Sequence, residues 1–162
     1  MKKTEALKQM NRQLESLIAG EKNTIANLSN AAALLAHQLP DVSWAGFYLY
    51  DRQADHLVLG PFQGKPACIR IPNGKGVCGA AFAKKETLIV GDVHTFKGHI
   101  ACDADSNAEI VIPLEKDGIY FGVLDIDSTT HHRFDQVDQL YLEDFVRILI
   151  ENIDVLSVIE VY

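Results

Sequence analysis

The sequence predicts an α+β domain built on an antiparallel sheet, and three observations carry that prediction. Apolar residues recur at helical spacing at both ends of the chain. Short aromatic and β-branched runs, separated by turn residues, fill the middle. The connections between those runs are too short for βαβ crossovers, so neighbouring strands pair as hairpins. The 162 residues suit a single domain, 1–162, with a core that needs no disulfide or metal staples.

Leu7, Met10, Leu14, Leu17 and Ile18 form the first helical stripe, which Gly20 stops. Asn23 can cap a second helix that runs through Ile25, Leu28, Ala32, Leu35 and Leu39 to Pro40 and Asp41, with His37 on its solvated side. Trp44 to Tyr50 is a strand with Trp44, Gly46, Tyr48 and Tyr50 on one face and Ala45, Phe47 and Leu49 on the other. Both faces are apolar, which places it centrally. Asp51 to Asp55 turns the chain, and His56 to Gly60 returns as the hairpin partner.

Pro61 to Gly79 is punctuated by glycine and proline and reads as an active-site loop, with a strand cut short at Pro72. Gly74, Gly76 and Gly79 satisfy G-x-G-x-x-G, with Asp92 downstream, but no βαβ unit surrounds them and dinucleotide binding is set aside. Val77 to Lys84 suits a short helix, Thr87 to Val90 a short strand, and Gly91 to Asp105 a loop.

Ala108 to Glu115 and Ile119 to Asp127 are the strongest strands. Lys116-Asp117-Gly118 joins them as a three-residue connection, of the kind that closes in a G1 bulge. With Glu115 opposite Ile119, Glu109 falls opposite Asp125, and Glu109, Asp125 and Asp127 share one face. From Phe134 the chain is helical, capped by Asp135, with the stripe Val137, Leu140, Tyr141, Phe145, Ile148 and Leu149. Leu142, Val146, Ile150 and Ile153 widen that stripe until it needs cover on two sides, from the sheet and from another helix or a second subunit. A homodimer is therefore expected.

A net charge of −7, from 15 basic and 22 acidic residues, repels nucleic acid. No apolar run reaches membrane-spanning length, and the N-terminus mixes charges into what a signal peptide would keep apolar. The expected location is the cytoplasm. There the three cysteines, Cys68, Cys78 and Cys102, are no permanent disulfide framework, and transient pairing stays open.

Cys102 lies in a polar loop, GHIACDADSNAEIVIP, beside His99, Asp103 and Asp105. Two readings stand: an accessible reactive thiol, or a small half-buried anchor for the loop. Cys78 falls at a helix start, where free N–H groups lower a thiol pKa. The three carboxylates form a coupled set that can hold a proton or bind an amino group, although a solvated strand end is the plainer account of two acids at i and i+2. Trp44 and Tyr48 make an aromatic wall or simply core. His94, His99, Cys102 and Asp103 match no zinc spacing, and no metal is expected. A thiolate attacking an electrophilic sulfur or oxygen needs an acid to release oxygen as water and a second thiol to resolve the product, which is reductase chemistry.

The strings WAGFY (44–48), GPFQGKPACIRIP (60–72), GVCG (76–79), DVH (92–94), GHIACDADSNAEIVIPL (98–114) and GVLDIDS (122–128) resemble the free methionine-(R)-sulfoxide reductases, which are stand-alone GAF-domain proteins. That resemblance implies a sheet of about six strands, with the N- and C-terminal helices on one face and a loop-covered pocket on the other. It also implies that Cys102 is the nucleophile, that Cys68 resolves it as a disulfide, and that Cys78 is auxiliary. Trp44 and Tyr48 would frame the methyl-sulfoxide end of free L-methionine-(R)-sulfoxide, while Glu109, Asp125 and Asp127 bind and protonate it. Backbone amides at Ile100, Ala101 and Cys102 would take its carboxylate. No bound cofactor is implied; thioredoxin, with NADPH behind it, regenerates the thiols. The competing expectation is a GAF sensor that binds a small ligand without catalysis, and a weaker one is a peroxide-reducing thiol protein.

Overall fold

The computed structural model describes residues 2–161. Helices α1 (Lys3–Ile18) and α2 (Thr24–Gln38) precede strands β1 (Trp44–Asp51), β2 (His56–Gln63) and β3 (Arg70–Pro72). Helix α3 (Gly76–Lys84), strand β4 (Leu88–Val90) and a 3₁₀ turn (Val93–Thr95) follow. Strands β5 (Ala108–Lys116) and β6 (Ile119–Ser128) then lead into α4 (Gln136–Glu151) and α5 (Val155–Val161). The strands form one six-stranded sheet in the order β3-β2-β1-β6-β5-β4, with every neighbouring pair antiparallel. β1 is central, as its two apolar faces require.

Alternation sorts the core into two layers. Ala45, Phe47, Leu49, Ile110, Ile112, Leu124 and Ile126 pack against α1, α2 and α4 on one face. Trp44, Tyr48, Val111 and Val123 face the opposite way, toward α3 and the loops. β2 runs three residues further than His56–Gly60. Pro61 does not stop it, because Gly46 pairs with Phe62 and Tyr48 with Leu59, leaving Gly60 and Pro61 as a bulge opposite Phe47.

The β5–β6 register differs from the expected one in two places. Lys116 pairs with Ile119, so the connection is the two-residue Asp117-Gly118 turn, with both residues at positive φ (52° and 82°). The pairing then shifts between Leu114 and Glu115, leaving Phe121 as an extra residue on β6. Each change moves the count by one residue, and together they set Glu109 opposite Asp127 rather than Asp125. A displacement of two preserves parity, so all three carboxylates still share a face; a displacement of one would have turned Glu109 into the helical layer.

Helix α4 departs from its predicted stripe at its first turns. Val137 and Leu140 are exposed, while Asp138 is buried. Asp135 caps the amide of Asp138, whose carboxylate turns back to accept from the Asp135 amide (2.9 Å) and meets Lys3 Nζ at 2.8 Å and Arg133 at 3.3 Å. The second cover this helix needs comes from α1, where Asn11 donates to the Tyr141 carbonyl at 3.1 Å. The stripe alone therefore does not demand a partner subunit. Continuous helix also stops at Glu151, where Lys116 Nζ donates to the carbonyls of Ile150 (3.1 Å) and Ile153 (2.8 Å) before α5 begins.

Candidate active site

Two cross-strand rows on the loop-covered face lay down the floor of a pocket. Trp44, Asp127 and Glu109 stand side by side in one row, and Gly46, Asp125 and Val111 in the next. Gly46 is needed here because a Cβ would lie 2.3 Å from Cβ of Phe62. Without it, Trp44 stacks on Phe62 (5.2 Å between centroids) and on Tyr48 (5.9 Å), making the expected aromatic wall.

The same aromatics hold the roof. Tyr48 donates its hydroxyl to the Cys68 carbonyl at 3.0 Å, and Trp44 Nε1 donates to the Lys65 carbonyl at 3.1 Å. Lys65 Nζ in turn reaches Asp105 at 3.0 Å and Asp103 at 3.9 Å, tying the Cys68 loop to the Cys102 loop. Between them Cys68 and Cys102 form a disulfide, with Cα atoms 5.4 Å apart. Both loops are thus fixed over the carboxylates, and the pocket they enclose is lined by both Trp44 and Tyr48, by Cys78 and Cys102, and by Glu109, Asp125 and Asp127.

Cys78 is buried and donates to Glu109 Oε2 at 3.7 Å. The helix start does not activate it: burial pushes its thiol up, and the charges of Asp125 and Glu109 push further the same way. Cys78 therefore stays a thiol. Burial likewise raises Asp125, followed by the charges of Asp127 and Glu109. Desolvation raises Asp127 first and Glu109 adds to it, although Asp127 keeps part of its surface open to the pocket. Tyr48 is raised by burial and then by Asp125, so it remains a neutral donor. Oδ1 of Asp125 is buried without a hydrogen-bond partner among the described residues.

A raised carboxyl pKa in the folded state has a definite sign in stability. The contribution of Asp125 is fully present below the unfolded carboxyl pKa of about 3.9 and is lost as pH rises through the higher folded value. Asp125→Asn removes that titration. Denaturant unfolding across a pH series is expected to show the wild type losing stability relative to Asp125→Asn as pH climbs; parallel curves would contradict it.

The structure brings together all eight side chains singled out in the sequence: Cys68, Cys78, Cys102, Trp44, Tyr48, Glu109, Asp125 and Asp127. Ile100 also lines the pocket, against Gly76, where a Cβ would meet its Cδ1 at 3.2 Å. Ala101 is exposed and does not line it, and the Cys102 amide donates to the Ile100 carbonyl at 3.1 Å. Lys65, His99 and Ser106 line the pocket and were not singled out as site residues. Position was the available signal for Lys65, three residues before Cys68 in the Gly-Lys-Pro stretch. Gly74 and Gly76 sit at positive φ, and a Cβ on Gly79 would lie 2.7 Å from the Pro72 carbonyl, so they build the tight entry to α3.

Comparison with known proteins places this geometry. The GAF domain family matches residues 24–151. The free methionine-R-sulfoxide reductase of Escherichia coli is 53% identical over 146 residues, covering 90% of this chain and 87% of that protein. The enzyme of the same name from Saccharomyces cerevisiae is 44% identical over 155 residues, covering 92% and 86%. The X-ray structure of free methionine-R-sulfoxide reductase from Neisseria meningitidis in complex with its substrate superposes with a TM-score of 0.91 at 47% identity, covering 94% of this chain and 90% of that one.

Proposed function

Because the chain belongs to the free methionine-(R)-sulfoxide reductases, a family of GAF-domain proteins, we propose that it reduces free L-methionine-(R)-sulfoxide to L-methionine by thiol catalysis. The observation that carries the reading is the Cys68–Cys102 disulfide lying across a pocket floored by buried acids. Reduced Cys102 attacks the sulfoxide sulfur, and the S–O bond breaks as the oxygen takes a proton. That attack leaves Cys102 bonded to the methionine sulfur; water then bonds to the Cys102 sulfur as this S–S bond breaks and gives up a proton, so methionine leaves and Cys102 is left as a sulfenic acid. The Cys68 thiol then displaces the sulfenic oxygen as water and forms the disulfide, and two electrons from an external dithiol restore both thiols.

Asp125 is the proposed proton donor, since burial keeps its carboxyl protonated where an ordinary one would ionise. Glu109 and Asp127 take the α-ammonium group, Trp44 and Tyr48 enclose the methyl-sulfoxide end, and the backbone at Ile100, which lines the pocket, receives the carboxylate. Cys78, held as a thiol by burial, is auxiliary: it donates a hydrogen bond to Glu109. A site that pairs both charged ends of an amino acid discriminates against a residue whose ends are peptide bonds, because the unpaired acids would stay buried.

Thioredoxin fed by NADPH is the proposed reductant, with no bound cofactor. The domain is proposed to be one GAF unit over 1–162, assembled as a homodimer in the cytoplasm. No described helix is long and apolar enough to cross a membrane. In a thioredoxin-coupled assay, NADPH consumption that depends on added free sulfoxide is the expected result. Binding of the sulfoxide with no consumption would replace this reading with a sensor.

A further inference from the structure

Away from the pocket, Asp92, His94 and His131 converge from two loops. We propose that these three side chains form a surface site for a divalent transition-metal ion, with zinc as the fitting case. One donor atom from each residue lies within 4.8 Å of the other two. His94 Nδ1 is 2.9 Å and His131 Nε2 is 3.9 Å from Asp92 Oδ1. Tetrahedral zinc, with bonds of about 2.0–2.1 Å, spaces its donors about 3.3 Å apart, so the two separations bracket the required value. Both rings are exposed and free to rotate toward that spacing.

Local bonding explains part of this arrangement but not all of it. Asp92 Oδ1 accepts the His94 amide at 3.0 Å, an ordinary cap of the 3₁₀ turn, and this fixes the carboxylate. His131 lies beyond hydrogen-bond reach of that oxygen, yet its loop is held there. The His132 amide donates to the Gly91 carbonyl at 2.8 Å, the Val93 amide to the Asn107 carbonyl at 2.8 Å, and Asn107 Nδ2 to the Thr129 carbonyl at 2.7 Å. Gly91 permits this approach, since a Cβ there would meet the His132 ring at 2.2 Å. The three donors are therefore positioned by backbone ties on both loops.

Two imidazoles and one carboxylate favour zinc, nickel or copper over calcium and magnesium, which take oxygen ligands, and three protein donors leave a position for water. A chain of net charge −7 draws cations toward its surface. The bound ion would clamp the head of segment 92–105, which carries Cys102, to the loop after β6.

The test uses the full chain in its disulfide form, titrated with Zn²⁺ by calorimetry and with Co²⁺ by absorption. One ion per chain is expected. Affinity should fall at least about tenfold in His131→Ala and in His94→Ala, since each loses one of three ligands, while His131→Ala retains sulfoxide turnover. At 100-fold excess over the wild-type Kd, zinc should raise the wild-type melting midpoint by about 5 °C or more and that of His131→Ala by about half as much or less. Equal binding in wild type and both variants, no binding at millimolar Zn²⁺, or a cobalt–thiolate charge-transfer band from the separate Cys78, Glu109 and Asp125 group would each overturn the proposal.

Discussion

Cys102→Ser is expected to lower turnover of free methionine-(R)-sulfoxide by about 10³-fold or more, because a hydroxyl cannot displace oxygen from the sulfoxide sulfur and only binding and electrostatics remain. Substrate affinity should change little, since Trp44, Tyr48 and the acids still line the pocket. Cys68→Ser should behave differently. It leaves the nucleophile intact, so each chain should release one equivalent of methionine in a burst and then stall at the Cys102 sulfenic acid. Turnover that survives in Cys102→Ser, or a Cys68→Ser enzyme that cycles with thioredoxin at the wild-type rate, would contradict these roles.

The difference between those cysteines was only partly legible in the sequence. A polar loop around Cys102 and an odd cysteine count raised thiol chemistry, but the pairing of Cys68 with Cys102 came from family resemblance and not from spacing. Cys78 shows why position along a helix is insufficient. Its place in the first turn of α3 suggested activation, yet burial beside Glu109 and Asp125 reverses the sign. Burial is a property of the packed fold, and no local pattern announced it.

The carboxylate floor shows another kind of legibility. Strand periodicity placed Glu109, Asp125 and Asp127 on one face, and the structure has them there. Their mutual register was not readable, because an Asp-Gly connection suits either a two-residue turn or a three-residue one, and the bulge at Phe121 has no marker in the sequence. At the start of α4, tertiary contacts with Lys3 and Arg133 bury Asp138, while periodicity favoured the exposed Val137 and Leu140.

Asp125→Asn is the second large effect. The amide matches the carboxyl in shape but has no proton to give, so kcat should fall by about 10²- to 10⁴-fold, the range of general acid catalysis. In the wild type, kcat should decline as pH rises through the elevated Asp125 pKa, because the ionised form no longer donates. Asp127→Asn should act instead mainly on KM, through the lost ammonium partner. Steady-state kinetics of both variants over a pH series separate the roles. An Asp125→Asn enzyme with unimpaired kcat would move the proton donor elsewhere, with Glu109 as the next group to replace.

Substrate discrimination tests the central claim most directly. Thioredoxin-coupled turnover is measured with the (R) and (S) epimers of free L-methionine sulfoxide and with a peptide containing methionine-(R)-sulfoxide. The account predicts consumption of the free (R) epimer alone, because in the proposed roles the pocket pairs the ammonium and carboxylate ends while the aromatic wall and Cys102 fix the handedness at sulfur. Comparable rates on the (S) epimer or on the peptide would contradict it.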